Sequence, residues 1–117
     1  MMVQTYQKGD VIDVNLGRPP KEIKGHEQGM KRPCIIIKSF DNLGLAIIVP
    51  CTTKDPKYSI YTIVKIIKGT GGLTTDSFAL CHKIRTISFD RILSKRGTLP
   101  QNTILKISSV LTDTLDL

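Results

Sequence analysis

Two stretches rich in β-branched residues, 33–39 and 45–52, stand on either side of a five-residue link, Phe40-Asp41-Asn42-Leu43-Gly44. Side chains branched at Cβ lose rotamer freedom in a helix but pack well on a pleated sheet, and so short a link lets the second run turn back along the first. The pair predicts a hairpin-like unit forming the two central strands of a β fold.

The rest of the chain is read around that centre. Residues 11–16 begin with apolar alternation and stop at Gly17-Arg18-Pro19-Pro20, which cannot continue a central strand. A loop is expected over 17–31, where two prolines, three glycines and seven ionisable side chains leave almost nothing to bury, and loops this long in small domains usually carry function or mobility. Residues 58–67 predict a further strand, ended by the glycine density of Lys68-Gly69-Thr70-Gly71-Gly72. That segment has no Gly-Lys-Ser/Thr ending and no helix after it, so it reads as a flexible turn and not as a phosphate loop. Residues 77–81 and 83–87 are short strand candidates separated or bent near His82. From Pro100 onward Ile104, Leu105, Ile107, Val110, Leu111 and Leu115 recur at helical spacing, predicting an amphipathic helix over 100–116 whose apolar side joins the core. The pattern alone therefore predicts five or six short strands and one helix, a small, strongly bent barrel or two-sheet fold in a single domain of residues 1–117.

Composition bounds the function. With 117 residues and 40% apolar side chains, the chain can bury roughly two-thirds of the surface it exposes when unfolded. The longest apolar run, residues 45–50, is far shorter than the roughly 18 residues of a membrane span. The first eight residues hold neither an apolar core nor a small-residue cleavage site, so a cytoplasmic protein without membrane attachment is expected. Cys34, Cys51 and Cys81 are odd in number and sit in or beside apolar runs, the pattern of buried free thiols. No metal is expected, because Cys81-His82 is an adjacent pair predicted to point to opposite faces of a strand, and no short-spaced ligand set accompanies it. Lys and Arg number 17 against 10 Asp and Glu, a net charge of +7 that favours a polyanionic partner and equally suits a solvated surface.

The most specific residues lie where the loop enters the first central strand: Gly25-His26-Glu27-Gln28, then Lys31-Arg32-Pro33. With Lys8-Gly9-Asp10-Val11-Ile12 before them, Val49-Pro50-Cys51-Thr52 after them, and Asp76-Ser77 and Lys83-Ile84-Arg85-Thr86-Ile87 further on, they form an ordered series from about Lys8 to Gly97. In this order the blocks resemble the MazF/PemK/Kid toxins of bacterial toxin-antitoxin modules. The resemblance implies a mainly β (α+β) fold, a small SH3-like barrel of about five to seven strands with a C-terminal helix. It also implies a homodimer, a cognate antitoxin as partner, and a cofactor-free, metal-independent endoribonuclease that cuts single-stranded RNA to leave 2′,3′-cyclic phosphate and 5′-hydroxyl ends.

That chemistry needs a group to take the 2′-hydroxyl proton, a cation for the phosphorane charge, and a donor for the leaving 5′-oxygen. Arg32 matches the family's catalytic arginine, and a guanidinium fits phosphate oxygens bidentately. Thr52 matches the catalytic threonine. His82 stands where many relatives carry Asp or Glu, and Lys83 where many carry Gln, so His82 either takes over the acid-base work or merely fills the space. His26 and Glu27 sit in the loop that the family brings to its active site, Gln28 fixes that loop or touches a base edge, and Lys31 and Arg85 are candidate RNA contacts. Two other readings are compatible with the fold: a CcdB-like poison of DNA gyrase without nuclease activity, and a non-catalytic RNA-binding barrel.

Overall fold

The computed structural model describes residues 5–17, 31–56 and 60–117. The predicted central pair is present as β2 (Lys31–Phe40) and β3 (Leu45–Thr52), antiparallel, with Ile36 opposite Ile48 and Ile35 opposite Val49. Their link is a single 3-10 turn, Asp41–Leu43, closed by Gly44 at φ +65, a left-handed conformation that glycine adopts without the Cβ penalty. On the far side of β2 lies β1 (Asp10–Asn15).

β3 is long enough to serve two partners. Its first half pairs with β6 (Arg85–Ser88) and its last residues pair with β5 (Ser77–Leu80), which carries β4 (Ile63–Ile66) on its other edge. β7 (Ile92–Thr98) lies along β1, completing an antiparallel sheet of seven strands among the described residues, with helix α1 (Gln101–Thr114) following it. The sheet is covered on both faces. Val11, Ile35, Val49 and Cys51 join Val64, Ile66, Ile107 and Leu111 on one side, while Ile12, Val14, Cys34, Ile36 and Ile48 pack with Ile87 on the other. Burial on both faces explains why the central strands are almost continuously apolar instead of alternating. Each fully buried Ile or Val here contributes roughly 1.5–3 kcal/mol by leaving water.

The sheet curls until the turn after β4 lies on β7. A Cβ on Gly72, whose φ is +81, would stand 2.5 Å from the Arg96 carbonyl oxygen, so backbone meets backbone there. The expected flexible turn is thus a 3-10 turn, Thr70–Gly72, packed against the opposite edge of the sheet, and its glycines are there for contact.

Other expectations need correction. The strand expected over 58–67 is ordered as strand only at Ile63–Ile66, because Ile60 to Ile63 form a turn closed by the Ile63 N–H on the Ile60 carbonyl (3.1 Å); residues 57–59 lie outside the described residues. Cys81 and His82 do not alternate on a strand. β5 ends at Leu80, and Cys81–Lys83 form a 3-10 turn held by the Ile84 N–H on the Cys81 carbonyl (3.3 Å). The sequence pattern marks no strand over Ile92–Thr98, where β7 runs. The register of β1 against β7 slips at two places, and its side chains are mostly exposed, so neither alternation nor an apolar run marks it. It is held by two buried carboxylates of β1. Asp10 accepts from Thr98 Oγ1 (2.9 Å) and lies 3.3 Å from Lys95 Nζ, and Asp13 accepts from Arg96 Nε (2.9 Å) and Ser94 Oγ (3.1 Å). In α1, Ile107 and Leu111 are buried as expected, but Leu105 and Leu115 face solvent. Among the described residues no helix is long and apolar enough to cross a membrane.

The three cysteines are free and buried, as the sequence predicts. Burial pushes the Cys34 thiol up to about 12 against the opposing pull of the Arg32 and Arg85 guanidiniums, pushes Cys81 up to about 11, and raises Cys51 beyond the ordinary range. Native protein is therefore expected to be inert to a thiol reagent at pH 8 and to expose three reactive thiols on denaturation. The stabilisation from holding these thiols neutral is complete below about pH 8.5. It is lost as pH climbs toward 11 and 12, because the unfolded chain ionises its thiols first. Urea melts between pH 8 and 11 should show that decline, and a flat profile would contradict it.

Candidate active site

The ends of four strands meet at one rim of the sheet. Cys34 pairs with Pro50, and Arg32 and Thr52 each lie two residues beyond that pair, at the head of β2 and the end of β3. Thr52 in turn pairs with Phe78 at the start of β5, and Ile63, which opens β4, pairs with Leu80, which ends β5. The turn after Leu80 then delivers His82 to the same rim.

There they enclose an open cleft of about 440 Å3. Its polar lining is Arg32, Thr52, Lys54, Asp55, His82 and Lys83, and its apolar floor comes from Pro56, Ile63 and Leu80. With Arg32, Lys54 and Lys83 facing one Asp55, cations outnumber carboxylates, an arrangement that attracts a phosphodiester. Arg32 is half-buried at the head of β2 and Thr52 half-buried at the end of β3, whereas Lys54, Asp55, His82 and Lys83 are exposed. The Lys54 backbone N–H donates to Thr52 Oγ1 (3.1 Å). That bond engages one lone pair and fixes the side chain, leaving the hydroxyl proton to be given to a ligand oxygen.

The His82 ring is held from behind. Thr62 Oγ1 lies 2.8 Å from His82 Nδ1, Thr62 is itself buried, and its carbonyl accepts from the Cys81 N–H (3.0 Å). With Nδ1 engaged, Nε2 is the ring nitrogen left for the cleft.

Three of the residues singled out in the sequence, Arg32, Thr52 and His82, thus come together, and Lys83 joins them. Lys31 and Arg85 do not line the cleft. Lys31 is exposed opposite Asn15, and Arg85 is exposed on β6 opposite Ile48, near enough to Cys34 for its charge to act there beside that of Arg32. His26, Glu27 and Gln28 lie outside the described residues. Sequence reading missed Lys54, Asp55 and Thr62. The first two had a usable signal in Thr52-Thr53-Lys54-Asp55-Pro56, a polar, turn-forming run directly after an apolar strand. Thr62 had none, since its partner is twenty residues away. Among the described residues no three His, Cys, Asp or Glu side chains cluster as a metal site requires.

A family model described as PemK-like, MazF-like toxin of type II toxin-antitoxin system matches residues 7–115. The chain belongs to that family. The toxin is also similar to solved structures. One is an endoribonuclease in complex with its cognate antitoxin from a mycobacterial species, 22% identical over 97% of each chain with a TM-score of 0.73. Another is MazF from Deinococcus radiodurans, 19% identical over 97% of the toxin and 99% of that chain, with a TM-score of 0.73. A third is the Mycobacterium tuberculosis toxin MazF-mt6, 18% identical over 90% of the toxin and 97% of that chain, with a TM-score of 0.66. At these identities the structures establish a shared fold. No curated protein sequence matches the toxin significantly.

Proposed function

We propose that the toxin, as one domain over residues 1–117, is a metal-independent endoribonuclease that cleaves single-stranded RNA by attack of the 2′-hydroxyl on the adjacent phosphorus. The observation that carries this reading is the convergence of Arg32, Thr52 and His82 on one cation-rich cleft. In the reaction the 2′-oxygen forms a bond to phosphorus as its proton passes to a base, and the bond to the 5′-oxygen breaks as that oxygen takes up a proton. The products are a 2′,3′-cyclic phosphate and a 5′-hydroxyl.

Arg32 holds the equatorial oxygens, where negative charge grows in the transition state. Thr52 donates its hydroxyl proton to the same phosphate. His82, through Nε2, moves the proton that a carboxylate is assigned in some relatives. Lys31, Arg85 and the loop residues His26, Glu27 and Gln28 guide the strand on either side. A cognate antitoxin, through an acidic or apolar tail, occupies the same groove, and the toxin works as a homodimer in the cytoplasm. A gyrase poison of this fold or a passive RNA binder has no use for an arginine, a hydroxyl and an imidazole around one cleft.

The deciding experiment incubates purified toxin with a long, weakly structured RNA in excess EDTA and maps the cut positions and their termini. Discrete cuts with cyclic phosphate and 5′-hydroxyl ends are expected. A folded protein that leaves several such RNAs intact would overturn the enzyme and turn attention to gyrase or passive RNA binding.

A further inference from the structure

We propose that Thr62 is the positioning residue for His82: its hydroxyl accepts a hydrogen bond from Nδ1–H, so that His82 exchanges its proton through Nε2 at the scissile bond. The inference rests on the nuclease reading above and extends it to a residue outside the cleft. Oγ1 and Nδ1 are 2.8 Å apart, and the Thr62 end of the contact is buried, at 4% exposed, while the His82 ring is open to the cleft. The backbone repeats the link, because the Cys81 N–H donates to the Thr62 carbonyl at 3.0 Å. The turn bearing His82 and the turn opening β4 are therefore tied at two points.

The chemistry favours this direction of donation. An imidazole that takes the 2′-hydroxyl proton passes from neutral to cationic, and in the cation both ring nitrogens are donors. A hydroxyl can accept from Nδ1–H in both states, so the ring need not turn during the cycle. A ring carrying its neutral proton on Nε2 would have no lone pair facing the 2′-hydroxyl. The remaining charges around the ring, Arg32, Lys54, Asp55 and Lys83, lie on other parts of the cleft and are left in place when Thr62 is changed.

The test compares wild type with Thr62→Val, Thr62→Ser, His82→Ala and the Thr62→Val/His82→Ala double variant, each checked for folding by thermal melting. Cleavage of one RNA is followed in EDTA across pH 5–9, and nitrogen NMR of the histidine rings reports the protonation site. Thr62→Val should cut roughly tenfold more slowly, within the range expected for an indirect effect on an acid-base group worth about 100-fold or more. Its pH profile should differ in shape from that of the wild type, a change that a purely structural role would not produce. Thr62→Ser should restore most of the rate, and Thr62→Val should have no further effect on the His82→Ala background. In the wild type, neutral His82 should carry its proton on Nδ1.

A neutral ring protonated on Nε2 in the wild type would overturn the proposal, as would a Thr62→Val toxin with the wild-type rate and pH profile. An equal loss from Thr62→Val with and without His82 would also overturn it, since Thr62 would then act through the fold alone. Failure of the wild type to cut RNA is a different outcome that overturns the nuclease reading itself.

Discussion

Arg32→Ala toxin is expected to lose RNA cleavage by roughly 100- to 1,000-fold while still folding, the size of effect seen when one preorganised donor to transition-state charge is removed. Arg32 stands at the head of β2 and lines a cleft that also holds Thr52, Lys54, His82 and Lys83. Lysine in its place should recover only part of the activity, because an ammonium supplies charge without the planar fork that grips two phosphate oxygens together. Cut RNA ends quantified against time give the rate, and the salt dependence of binding gives a separate check. Losing one phosphate contact should reduce the salt slope by less than one unit, so a variant that still binds but no longer cuts marks Arg32 as catalytic. Undiminished cutting by a folded Arg32→Ala protein would remove the central residue from the proposed mechanism.

A loss of about 3 kcal/mol in folding stability is expected for Asp10→Ala, a substitution remote from the cleft lining. Asp10 is fully buried and receives bonds from the Gln7 N–H (2.9 Å) and the Thr98 hydroxyl (2.9 Å), with the Lys95 ammonium at 3.3 Å. Alanine leaves two donors without their acceptor and unties β7 from β1. The figure sits at the lower end of that for breaking a buried pair, because Lys95 is 43% exposed and regains water. In a domain of this size it corresponds to a fall of about 10 °C or more in Tm, measurable by calorimetry. The cleft should survive in whatever fraction stays folded, so activity per folded molecule at low temperature should be near wild type. A small change in Tm with lost activity would instead place Asp10 in the chemistry.

These two substitutions fall in blocks that carry the family resemblance, yet they do different work. Lys8-Gly9-Asp10 is structural. Gly9, at φ +92, lies so close to helix α1 that a Cβ there would come within 2.3 Å of Ile104 Cδ1, and Asp10 anchors β7. Asp76-Ser77 is structural too: Asp76 Oδ1 accepts from the Lys68 N–H (2.7 Å), and Ser77 is buried and donates to the Thr75 carbonyl (3.1 Å). Among the described residues of those blocks, Arg32, Thr52 and Lys83 reach the cleft, together with the departure, His82. A match of motifs in order thus identifies the family without saying which residues the fold needs and which a ligand would touch.

From the amino-acid sequence come the hairpin of β2 and β3, the helix at the end, the buried thiols and the identity of Arg32, Thr52 and His82 as residues to watch. All rest on local pattern: β-branched runs, helical spacing, apolar flanks and short ordered motifs. The tertiary structure decided what depends on distant partners. β7 is a strand because buried carboxylates of β1 grip a polar, bulged segment about eighty residues further on. The turn Thr70–Gly72 is packed because the sheet curls onto it, and Thr62 meets His82 because the end of β5 folds back along the start of β4. Periodicity records which face of an element is buried, but a hydrogen bond between groups far apart along the chain leaves no period, and only closure of the sheet brings such groups together.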